Sequence, residues 1–196
     1  MANNCYNLFQ FLGNAKVKKQ IATWKEQLDL IKPTDTDPDC MRAIRDVFYP
    51  DVPDNEVIDY GCDFVYADEE CLSPEGDEIA IVSAWTPPNA LQERLACLLH
   101  PLDKRVVVRN QFNAEDGTQG VAYAAAYDPH HSYIQETSVV VDSDEEDSEL
   151  AENEAQEQLR EQELEILDYF MDDMEGTVKT IKKHMPDLDI DWSNYN

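Results

Sequence analysis

The sequence predicts an α+β fold in which helices cover one face of an antiparallel sheet, and three observations lead there. Short apolar runs alternate with amphipathic helical segments in the order β, α, β, α, β, β. Two of the runs, "KRVVVRNQF" and "QGVAYAAAY", flank "NAEDGT", whose Asp-Gly pair is a hairpin signal. From residue 142 onward apolar alternation gives way to helix formers and carboxylates. This shift divides the chain into an α+β domain over residues 1–141 and an acidic helical extension over residues 142–196.

The elements follow in order. "CYNLFQFLG" places Tyr6, Leu8, Phe9 and Leu12 in a first strand that stops at Gly13. Asn14 is the expected N-cap of a helix carrying Val17, Ile21, Trp24, Leu28 and Ile31 on one face and Lys16, Lys18, Lys19 and Lys25 on the other, ended by Pro33. "MRAIRDVFY" predicts one short helix between loops. "IAIVSAW" reads as a buried strand; Thr86 is the expected cap of the next helix, with Pro87 in its first turn. That helix groups Leu91, Leu95, Leu98 and Leu99 and stops before Pro101. After the hairpin, "YIQETSVVV" supplies one more strand.

"SELAENEAQEQLREQELEILDYFMDDMEGTVKTIKKHM" is rich in helix formers, with Gly176 its one weak position. Its first half is polar on all sides. In the second, Leu164, Leu167, Met171, Met174, Val178, Ile181 and Met185 recur at three and four, a seam that packs either on the chain's own body or on a second copy. Beyond Pro186, Leu188, Ile190 and Trp192 alternate like a strand that closes the domain or binds a partner.

Charge narrows the function classes. The chain carries 42 acids, 15 bases and a net charge of -27. Residues 51–80 hold 11 acids and no base, and residues 142–175 hold 16 acids and one base, so these two segments contribute -11 and -15, or -26 of the -27. Direct binding to nucleic acid or to an anionic membrane is disfavoured by repulsion, and a basic partner is favoured. No run approaches the length of a membrane span, and the first residues lack a secretion signal, so the expected location is the cytoplasm. The five cysteines (Cys5, Cys40, Cys62, Cys71 and Cys97) are widely spaced with no C-x-x-C pair and read as reduced thiols.

Chemistry-bearing motifs are missing. No phosphate loop, dinucleotide fingerprint, zinc-helix motif or nucleophile elbow occurs, and no metal or cofactor is expected. His130 and His131 beside Asp128 read as loop residues, because adjacent side chains on an extended chain point opposite ways. The run over residues 142–149 lacks the glycine and spaced ligands of a calcium loop. The acids instead suggest an electrostatic surface. If residues 142–175 were wholly helical, their 16 carboxylates would lie along roughly 51 Å. That is about one per 3.2 Å, close to the roughly 3.4 Å between phosphates along one DNA strand.

The opening "MANNCYN", then "YGCDF", "SAWTPP" ahead of a helix and "EDGTQG" in a hairpin resemble the Api-like proteins of phages and mobile elements, over roughly residues 1–135. The resemblance implies a ferredoxin-like domain and a phage or plasmid origin, and no established catalytic residues. The acidic "CDFVYADEECLSPEGDE" stands where that family usually carries an extra Trp and Lys, and the long acidic helix is no part of its pattern.

Together these readings predict a non-enzymatic phage-type inhibitor, an acidic DNA mimic that occupies the basic groove of a host DNA-binding or defence protein. The first patch comprises Asp63, Asp68, Glu69, Glu70, Glu75, Asp77 and Glu78. The second opens with Asp144, Glu145, Glu146, Asp147 and Glu149 and continues through Glu154, Glu157, Glu161 and Glu165. Each would meet a Lys or Arg. The alternative is an adaptor or assembly protein that forms a homodimer through the apolar seam, its acids serving solubility alone. A hydrolase with a carboxylate site, and an edge-strand interaction through "VVVDSDEEDSE", are further readings.

Overall fold

A computed structural model describes residues 3–30, 41–66, 78–141, 148–174 and 176–188. The first strand, β1 (Asn4–Leu12), is followed by α1 (Ala15–Leu30), which Asn14 caps as expected. The Asn14 Oδ1 accepts hydrogen bonds from the backbone N–H groups of Lys16 (2.8 Å) and Val17 (3.3 Å). Then come α2 (Met41–Phe48), β2 (Val65–Tyr66), β3 (Glu78–Ala84) and α3 (Asn89–Leu99). The hairpin β4 (Val107–Ala114) and β5 (Thr118–Asp128) leads to β6 (His131–Val140), α4 (Ser148–Asp173) and α5 (Val178–His184). All neighbouring strands are antiparallel, in the order β2-β3-β1-β4-β5-β6.

One face of the sheet carries α1, α2 and α3. Val17, Ile21, Trp24 and Leu28 of α1 meet Phe9, Phe11, Ile79 and Ile81 of the sheet, with Leu91 and Leu95 of α3 in the same core. Trp24 sits edge-on to Phe11 and Phe48, with ring centroids 6.3 and 5.1 Å apart.

Three expectations are corrected. Helices cover both faces, not one, because α4 and α5 lie on the side opposite α1, α2 and α3. The continuous apolar stretch in β5 is the physical cause: "VAYAAA" is buried on both sides and needs two covers. Second, Thr86 does not cap α3. Pro88 precedes its first residue with no side-chain cap bond, while the Thr86 N–H donates to the Ala84 carbonyl and its own carbonyl accepts from Ser83 Oγ at 2.7 Å. The chain reverses at Trp85, where φ is +66°, so Thr86 belongs to the turn that leaves β3.

Third, the long helix is broken. Gly176, at φ +94°, separates α4 from α5, and Thr177 Oγ1 donates to the Met174 carbonyl at 2.8 Å. Met174 before the break and Ile181 after it still enter one apolar cluster on the sheet. The strand β2 has two residues, too few to show alternation. The expected alternation at Ile190 and Trp192 lies outside the described residues.

Gly120 marks a tight cross-strand approach. It faces Phe112 directly, and a Cβ there would lie 2.1 Å from Phe112 Cζ and 2.6 Å from the Thr137 carbonyl oxygen. Gly120→Ala is expected to lower stability by roughly 1–3 kcal/mol through overpacking, read as a lower urea midpoint with an unchanged slope.

Candidate functional site

The second face of the sheet is where the acidic segment is fixed. Leu167, Phe170, Met171 and Met174 of α4 and Ile181 of α5 are buried against Leu12, Val107, Val121, Tyr123 and Ala125. The Phe170 ring lies 5.8 Å from that of Tyr123 and 5.9 Å from that of Tyr133. Val178 and Met185 are partly buried in the same cluster, whereas Leu164 is half-buried and stands outside it. The predicted seam thus packs on the chain's own sheet, and pairing through it would require α4 to leave that surface.

One turn before Leu167, Glu163 also points inward. Its Oε1 accepts from Arg109 Nη2 (2.9 Å), Arg109 Nε (3.0 Å) and the Tyr123 hydroxyl (2.6 Å). Arg109 Nη1 donates to Gln10 Oε1 at 2.8 Å, completing a buried polar cluster across β1, β4, β5 and α4. Burial opposes the Arg109 charge, but Tyr123 and Glu163 outweigh it and hold the guanidinium protonated more firmly than usual. Burial, reinforced by Glu163, pushes the Tyr123 hydroxyl far above its usual range, so it serves as a donor. The sequence pattern singles out none of Glu163, Arg109, Tyr123 and Phe170. The one available signal was position: Glu163, Leu167, Phe170 and Met174 share one helical face.

The outer face of α4 carries four of the predicted acids. Glu154, Glu157, Glu161 and Glu165 are exposed, and Asp168 and Asp172 continue the row at the same three- and four-residue steps. Eighteen residues separate the ends of this stripe, or about 27 Å at one carboxylate per turn of roughly 5.4 Å. That is sparser than the phosphates of one DNA strand. The sequence-based density counted acids from every side of the helix, including the buried Glu163.

The described members of the first patch, Asp63 and Glu78, do not join this stripe. Asp63 is exposed in the loop before β2, where it lines a surface pocket with Asp59 and Trp85. Glu78 is half-buried on β3 and accepts from Gln10 Nε2 at 2.7 Å. Both sit toward the β2–β3 edge, while α4 lies over β5 and β6. Four strand spacings separate β3 from β6, about 19 Å. Glu149 falls in the first turn of α4. Asp68, Glu69, Glu70, Glu75, Asp77, Asp144, Glu145, Glu146 and Asp147 lie outside the described residues.

Other candidate chemistry resolves into structure. Asp128 Oδ1 accepts from the backbone N–H groups of His130 (2.7 Å) and His131 (3.0 Å), and Oδ2 lies 2.8 Å from His131 Nδ1. His131, then these backbone donors, hold the Asp128 carboxyl below its usual range, so this trio caps the β5–β6 turn. Among the described residues no group of three potential ligands could hold a metal, and no helix is long and apolar enough to cross a membrane. Burial pushes the Cys5 thiol up to about 11, that of Cys62 to about 12, and that of Cys97 above its usual range. Thiols so raised are poor nucleophiles at neutral pH.

No family model, curated protein or solved structure matches this chain.

Two measurements check this account. Glu163→Gln leaves the Arg109 guanidinium buried without its counter-charge and is expected to cost about 3 kcal/mol in urea unfolding, whereas Arg109→Met combined with Glu163→Met should recover most of the loss. Iodoacetamide at pH 8 should label Cys5 and Cys62 at least about tenfold more slowly than a free thiol, reflecting their small thiolate fraction.

Proposed function

We propose that this protein is a non-enzymatic, phage-type inhibitor. The α4 stripe occupies a basic cleft that a host DNA-binding or defence protein uses to grip phosphates, in the host cytoplasm. The observation that carries this reading is the fixed row of outward carboxylates from Glu154 to Asp172, backed by apolar packing and the Arg109–Glu163 pair. A docked helix presents its charges with little further ordering cost, and opposed basic side chains then gain more from each contact. The net charge of -27 steers such a partner from a distance.

The strand order β2-β3-β1-β4, with α1 and α3 among the connections, supports a ferredoxin-like core to which β5 and β6 add two further strands. That plan is the one the Api-like resemblance implies. The spacing of one carboxylate per turn favours a cleft with scattered Lys and Arg over one lined continuously.

Affinity capture from a bacterial lysate tests the reading, using the intact chain and the variant Glu154→Gln, Glu157→Gln, Glu161→Gln, Glu165→Gln. The expected result is a DNA-handling protein retained by the intact chain, displaced by duplex DNA or by moderate salt, and lost with the fourfold variant. Each single Gln change should weaken retention only about two- to fourfold, as expected of one exposed ion pair. Retention that duplex DNA leaves untouched, or that survives the fourfold change, rules the reading out.

A further inference from the structure

The helix α4 covers only part of its face of the sheet, and a groove runs beside it. Gln111 and Asn113 of β4, Gln119 of β5 and Tyr6 of β1 form its floor, and Gln156 and Leu159 of α4 form its wall. This stretch encloses about 540 Å³ and continues, through the shared Gln111, Gln119 and Gln156, into a second of about 680 Å³ that reaches Arg160. Volumes of this size accommodate ligands.

The chemistry of the lining is unlike the rest of the surface. In a chain with a net charge of -27, four uncharged carboxamides converge here. The side chains of Asn113, Gln119 and Gln156 make no hydrogen bond to any described residue, and that of Gln111 accepts only a long one, 3.4 Å, from Arg109 Nη1. A carboxamide offers a donor and an acceptor side by side, which complements a peptide group.

Spacing selects the ligand. Gln111 and Asn113 are two residues apart on one strand, so their side chains rise about 6.8 Å apart, and Asn113 stands directly opposite Gln119. An extended peptide laid along β4 repeats its peptide groups on one side at the same interval and stays in register, which a polymer of different repeat does not. Charge sets its direction. At the end of the groove beside the β4–β5 turn, Glu115, Asp116 and Glu152 line the continuing surface with Tyr6, Asn113 and Gln119.

We propose that this groove binds an extended segment of a partner protein. The carboxamides hold its backbone, and a Lys or Arg side chain points toward the β4–β5 turn. The site faces the sheet side of α4 and does not depend on the outer acidic stripe.

Random dodecapeptides displayed on phage and selected on the intact chain provide the test. Enriched sequences are expected to carry a Lys or Arg toward one end. The corresponding synthetic peptides should bind the variant Gln111→Met, Gln119→Met, Gln156→Met at least about tenfold more weakly, a loss of one to two hydrogen bonds. Peptides N-methylated at alternate residues should lose as much on the unaltered protein, an arm that holds even if the variant is less stable. Enrichment of nothing, or enriched peptides that bind the variant or their N-methylated forms equally well, overturns the proposal. Because the variant keeps every carboxylate of α4, its capture of a DNA-handling protein separates failure of this site from failure of the inhibitor reading.

Discussion

The docking of α4 onto the sheet is the constraint from which the rest follows. An isolated helix so polar over its first half, in a chain of net charge -27, would be marginal. Leu167, Phe170, Met171, Met174 and Ile181 provide the compensation, at about 1.5–3 kcal/mol for each such side chain fully buried. The buried Arg109–Glu163 pair has a different part. Desolvation offsets much of its Coulomb gain, so its contribution to net stability is small. What it adds is register. An apolar stripe repeating every turn tolerates a slip of one turn, but only one placement brings Glu163 beside both Arg109 and the Tyr123 hydroxyl.

Register in turn decides which carboxylates face outward. With Glu163 turned in, Glu154, Glu157, Glu161 and Glu165 are turned out and held at helical spacing on a rigid support. The same arrangement leaves Gln111, Asn113 and Gln119 as the floor of a groove walled by α4. One packing event thus produces two surfaces of different character on the two sides of a single helix, one with a carboxylate at each turn and one whose floor and wall carry uncharged amides.

Local signals in the chain were sound where local physics governs. The strand at "CYNLFQF", the Asn14 cap, the three- and four-residue stripe of α1 and the Asp-Gly hairpin each depend on a few neighbouring residues, and all appear in the structure, although the strand buries Cys5, Asn7, Phe9 and Phe11 and leaves Tyr6 half-exposed. Thr86 failed as a cap because a positive φ at Trp85 took the chain elsewhere, a backbone choice that no pattern of side chains announces. The two acidic segments looked like one surface in the linear charge count. In space their described members belong to opposite regions of the sheet, since sequence distance carries no information about strand order.

By itself the sequence determined the α+β class, most element positions, the apolar character of the α4 seam and the great excess of carboxylates. Each of these is a property of composition or of spacing within one segment. Only the tertiary structure decided that both faces of the sheet are covered, that the seam is satisfied internally, that one glutamate of the acidic run is buried on an arginine 54 residues away, and that uncharged amides from three elements meet in one groove. The physical reason is that burial and pairing join residues distant in the chain: a carboxylate at Glu163 and one at Glu161 are alike in the sequence, and the partner each finds is set by how the helix lies on the sheet.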